Sequence, residues 1–145
     1  MIDLGELLGT SRGCKMVLQC ESLRFDRAAL RAALAELSPG DCIAYAIRLN
    51  ASSVARMVTL VTLPLHLRCV QRMIVRGGAQ VLGRYGIDPS LDAPSCVYEL
   101  NSAAAEYADR CLRPRGSAPR FRRITSHLLG CDPALGGVVV VARKI

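Results

Sequence analysis

Pro64 to Ile87 reads PLHLRCVQRMIVRGGAQVLGRYGI. Whether this stretch is one helix, or a helix that gives way to something else, decides how many strands the chain brings to a sheet. Pro64 suits the first turn of a helix, where its missing N–H would have no intrahelical partner anyway. Val70, Ile74 and Val81 fall on one side of such a helix, while Arg68, Arg72 and Arg76 recur every fourth residue on the other. The spacing therefore predicts a helix over 64–85 with a basic face and an apolar face, closed by Gly86 and Ile87 in a Schellman stop. Gly77 and Gly78 weaken its middle by about 1 kcal/mol each relative to Ala, which admits a bend or break there.

Upstream, ARMVTLVTL (Ala55–Leu63) has the β-branched residues of a strand, yet Val54, Met57, Val58 and Val61 also fit a helical stripe. Both readings stay open. CIAYAIRL (Cys42–Leu49) alternates, with Ile43, Tyr45, Ile47 and Leu49 on one side, and is read as a strand. FDRAALRAALAEL (Phe25–Leu37) is a helix with Leu30, Ala33 and Leu37 on one face and SPGD as its stop. KMVLQC (Lys15–Cys20) alternates enough for a strand.

Downstream, Asp92 and Pro94 open a predicted helix whose stripe is Val97, Leu100, Ala104, Tyr107 and Cys111, ended by Pro114 and Gly116. Ser117 caps a last short helix carrying Phe121, Ile124 and Leu128. GGVVVVARK (Gly136–Lys144) reads as a buried closing strand. Strands interleaved with helices over 145 residues indicate an α+β chain, a single small domain over 1–145 with helices packed on a short sheet. The βαββα order resembles the ferredoxin-like arrangement, and a mostly α chain is the alternative.

Composition narrows the class. The chain is 51% hydrophobic with no Trp and only six Phe and Tyr, so its core must be built from aliphatic residues, Met and Cys. That excludes a disordered chain, which needs low hydrophobicity. The longest apolar run, Met57–Leu67, is interrupted by Thr, Pro and His and falls short of the ~20 residues of a spanning helix, so no membrane is expected. The start, MIDLGELLGTSRGC, has acids where a signal peptide carries basic residues. Seven cysteines without a C-x-x-C fit neither a closed disulfide framework nor a zinc knuckle, and most have apolar neighbours. They are read as reduced core thiols, which implies the cytoplasm or another reducing compartment.

Charge is sorted by segment. Residues 42–87 hold six arginines and no acid; residues 88–109 hold five acids and no base. Then comes RCLRPRGSAPRFRR, with Arg110, Arg113, Arg115, Arg120, Arg122 and Arg123 and again no acid. If Ser117 caps a helix, three of these cations stand at its positive end, an arrangement that a bound anion would relieve. Phe121 is assigned to the core with Ile124 and Leu128, so the strip offers phosphate contacts without base-reading chemistry. The bland alternative pairs Arg68, Arg72 and Arg76 with Glu99, Glu106 and Asp109.

Catalytic chemistry finds little support. His66 and Cys69 stand three apart and could form a Cys–His pair, but no third group orients them. The glycines of RGGAQVLGRYG match neither dinucleotide nor P-loop spacing, and no metal or cofactor is expected. The pattern points to a non-enzymatic intracellular nucleic-acid-binding protein, an RNA or ribonucleoprotein accessory. It would grip phosphates through the six strip arginines and through Arg68, Arg72 and Arg76. The rival is an interaction subunit of a larger complex that docks an acidic protein surface, or copies of itself, with charge blocks and an apolar face. A small enzyme using Cys69 with His66 comes third.

Overall fold

The computed structural model describes residues 16–21, 26–49, 53–88, 91, 96–101, 103 and 135–145. Its elements in chain order are β1 (Met16–Glu21), α1 (Arg27–Glu36), β2 (Cys42–Arg48), α2 (Ser53–Arg76), β3 (Ala79–Asp88), β4 (Cys96–Glu99) and β5 (Gly137–Lys144). The strands form one sheet in the order β1-β2-β5-β3-β4. β1 and β2 pair in parallel across the α1 crossover, and every other pairing is antiparallel. The described chain is thus α+β. It is not the ferredoxin-like arrangement, because α2 stands between β2 and β3 where that arrangement joins two strands directly.

Local chemistry explains the first half. Asp26 caps α1 by accepting a hydrogen bond from the Ala29 N–H at 2.9 Å, satisfying one of the orphan donors of the first turn. The helix buries Leu30, Ala33 and Leu34, with Leu37 just beyond its end. Ser38–Asp41 then reverses the chain, with the Asp41 N–H bonded to the Ser38 carbonyl and the Asp41 carboxylate accepting from the Ser38 N–H. The expected helix and its SPGD stop are both present.

β2 and β5 form the buried centre. Ile43, Tyr45 and Ile47 of β2 and Val138, Val140 and Ala142 of β5 pack on the helix side with Leu30, Leu34, Leu63, Leu67, Val70 and Ile74. Ala44, Ala46, Val139 and Val141 fill the other face with Ile87, Tyr85, Leu91 and Val97. A strand buried on both faces reads as a continuous apolar run, which is why VVVV occupies this place. Full burial of each large aliphatic here stabilises the fold by about 1.5–3 kcal/mol.

Three expectations fail between residues 53 and 99. First, α2 begins at Ser53 and passes through Pro64 instead of starting there. The stretch over 55–63 is therefore helical. Second, α2 ends at Arg76, and the stop is Gly77-Gly78, not Gly86-Ile87. Gly78 has a φ of 73°, the left-handed conformation that closes helices and that glycine adopts without strain. The Gly77 N–H bonds the Met73 carbonyl and the Gly78 N–H the Val75 carbonyl. Residues 79–88 then form a strand because β5 offers them an antiparallel partner from Ala79 to Ile87, with an irregularity between Val81 and Gly83. Gly86 belongs to this strand. A Cβ there would sit 2.8 Å from Leu135 and 3.0 Å from the Tyr98 ring, so glycine is required by close approach, not by a turn. Third, where a helix is expected to open at Asp92 and Pro94, Cys96–Glu99 form a strand paired with Asp88–Tyr85, and the rest of that expected helix, beyond 103, lies outside the described residues. Val97 faces the Ile87 side and Tyr98 the Leu135 side, the alternation of a strand rather than a helical stripe.

Candidate nucleic-acid interface

α2 carries the basic row. Its inward side holds Leu63, Leu67, Val70 and Ile74, all buried, and this fixes the rotation of the helix about its axis. Arg68, Arg72 and Arg76 consequently lie outward and exposed, as their spacing predicts. Four residues of α-helix rise about 6 Å, so the row spans ~12 Å, long enough to meet separate phosphates that advance about 3.4 Å per nucleotide along one strand. Among the described residues none of the three arginines has an ion-pair partner. Glu99, one of the acids expected to neutralise them, sits on the edge strand β4. Its neighbour Tyr98 faces the helix side, so strand alternation places Glu99 on the opposite face of the sheet, where Asn101 donates a hydrogen bond to it at 3.4 Å.

Among the described residues, two open clefts adjoin the row and share Arg76. The shallower, of about 330 Å³, is lined by Arg68, Gln71, Arg72, Val75 and Arg76. The larger, of about 450 Å³, lies between the C-terminal ends of α1 and α2 and is lined by Arg31, Leu34, Ala35, Met73, Arg76, Gly77 and Lys144. Lys144, at the end of β5, donates from Nζ to the Leu34 carbonyl at 3.1 Å and to the Gly77 carbonyl at 2.6 Å. Those carbonyls belong to helix ends, where unsatisfied acceptors and the negative end of the dipole favour a cation. Gly77 lets the helices meet: a Cβ there would lie 2.9 Å from Leu34 Cδ1. The spacing singles out only arginines, and neither Arg31 nor Lys144 is among the residues it points to. Their signal is tertiary, because β5 and α1 meet α2 only in the folded chain.

The other candidates fall as follows. Arg110, Arg113, Arg115, Arg120, Arg122 and Arg123 lie outside the described residues, as do Glu106, Asp109, His127 and the Ser117 helix. His66 is half-buried, with its Nε2 3.5 Å from the Tyr45 hydroxyl and the two rings tilted, 6.3 Å apart between centroids. Burial holds its pKa below the ordinary value of 6.5. Cys42, Cys69 and Cys96 are thiols rather than disulfides, Cys42 buried and the other two half-buried. Among the described residues no cluster of His, Cys, Asp and Glu could hold a metal ion, and no helix is long and apolar enough to cross a membrane.

Comparison of the chain with protein-family models, with curated proteins and with solved structures finds no match, so the reading of this surface rests on its own geometry.

Proposed function

We propose that the protein is a non-enzymatic nucleic-acid-binding protein, in the manner of an RNA or ribonucleoprotein accessory, that grips phosphates through Arg68, Arg72 and Arg76 of α2 and through the arginine strip over 110–123. The observation that carries this reading is the exposed three-arginine row with no acidic partner among the described residues. Guanidinium groups held on a rigid helix suit bidentate contact with phosphate oxygens. Their repeat follows a regular backbone without reading bases, which is the pattern of contacts that position rather than specify. The described thiols support a reducing intracellular compartment.

A salt titration tests it. Fluorescence anisotropy of a labelled mixed-sequence oligonucleotide should give a log K that falls by about 0.7–0.9 per phosphate neutralised as log salt rises. Replacing Arg120, Arg122 and Arg123 by Gln should lower that slope by up to about three units, with folding retained. Absence of binding near 50 mM salt would sink the reading.

A second reading, an interaction subunit docking an acidic protein surface, has one observation in its favour. Val58, Val61 and Leu65 continue the outward face of α2 toward its N-terminus and are 47%, 63% and 63% exposed. Aliphatic side chains in a row beside cations suit a protein partner better than a phosphate backbone. Light scattering of the purified protein across concentrations distinguishes self-association from a heteromeric partner, and retention on heparin alone favours the first reading.

A further inference from the structure

We propose that the cleft between the C-terminal ends of α1 and α2 takes one unpaired nucleotide of a single strand, its phosphate on Arg31 and Arg76 and its base against Leu34, Ala35 and Met73. This rests on the nucleic-acid reading and deepens it, because it selects single strands over duplex.

Four observations lead there. The cleft is of about 450 Å³, within the range of small-ligand sites, whereas phosphate gripping alone needs no cavity. Its lining is divided by chemistry: among the described residues its charged members are Arg31, Arg76 and Lys144, all cationic, and Leu34, Ala35 and Met73 supply an apolar wall. Lys144 is held by the two helix-end carbonyls, so it offsets their negative ends and leaves Arg31 and Arg76 to face the anion. Arg76 also closes the Arg68–Arg72 groove. A strand that follows the row therefore reaches the cleft mouth with its next phosphate already on Arg76.

A paired base cannot enter such a cleft without leaving its stack, whereas a single strand presents its bases free. Among the described residues no aromatic platform lines the cleft; the base rests on the apolar wall and its polarizable Met73 thioether, while the guanidinium groups of Arg31 and Arg76 hold the phosphate. Such contacts tolerate any base, so no sequence preference is expected.

The test uses the full chain with Arg31→Gln, an exposed position on α1 outside the α2 row. Binding is measured at fixed salt to a labelled single strand, to the duplex of the same sequence, and to a strand of equal length carrying abasic sites. Loss of one guanidinium–phosphate contact should weaken single-strand binding about tenfold and leave duplex binding within about twofold. The abasic strand should bind the wild-type protein several-fold more weakly than the intact one. Equal loss on single strand and duplex, no loss on either, or indifference to abasic sites overturns the cleft while the row reading survives. Binding to duplex alone does the same. A wild-type protein that binds none of the three overturns both.

Discussion

The two faces of α2 are built from the same 24 residues and answer to different demands. Leu63, Leu67, Val70 and Ile74 are buried against the sheet, where removal from water specifies side-chain shape as well as polarity. Val58, Val61, Leu65, Arg68, Arg72, Val75 and Arg76 are exposed, and folding asks little of them. Among the described residues, an outward face with four large aliphatics, three arginines and no acid goes beyond what solubility requires. Inward residues should thus govern melting and leave binding alone, and outward ones should do the reverse.

The strongest break in that comparison would come from Ile74, fully buried on the inward face. Ile74→Ala should destabilise by about 2–5 kcal/mol through lost transfer energy and a cavity, read by urea denaturation, with no change in the salt slope of binding by the fraction that remains folded. Gly86→Val comes next. The added side chain meets Leu135 and Tyr98, and overpacking of this kind costs about 1–3 kcal/mol; an unchanged urea midpoint would mean the sheet yields there. Lys144→Met removes two charge-assisted bonds to helix ends and should cost about 1.5 kcal/mol, with hydrogen exchange speeding selectively in the last turns of α1 and α2.

The acid response should be smaller. His66 has a folded pKa below its ordinary 6.5 because burial disfavours the charged ring. The unfolded chain then binds the proton more readily, so this contribution to stability is complete above 6.5 and is lost as pH falls through and below that value. Melting curves at about pH 7.5 and 5.5 should show a drop that His66→Gln diminishes. An equal drop in the variant would assign it to another group.

How far the fold could be read from the residues follows from which interactions decide each element. α1, β2 and β5 were legible because Asp26, the Ile43-Tyr45-Ile47 alternation and the VVVV run act locally. The end of α2 was misplaced because the apolar stripe continues to Val81 at helical spacing. The contrary signal was present in Gly77, Gly78, Gly83 and Gly86, four poor helix formers within ten residues. β4 was hidden for a different reason: Cys96–Glu99 is a strand because β3 offers it an open edge, and no local pattern announces an edge across a sheet. The same division holds at the site. Arg68, Arg72 and Arg76 announce themselves at i, i+4 and i+8, whereas Arg31 and Lys144 reach the cleft only through the folded contact between α1, α2 and β5.

The least change in stability and the greatest in binding belong together in the triple variant Arg68→Gln, Arg72→Gln, Arg76→Gln. Exposed substitutions of this kind shift stability by no more than about 0.5 kcal/mol. Three lost phosphate contacts lower the slope of log K against log salt by up to about three units. Measuring the urea midpoint and the salt slope on the same preparation tests the division of α2 directly. An unchanged midpoint with a shallower slope is the predicted result, and a lower midpoint with an unchanged slope would contradict it, returning the row to a structural role.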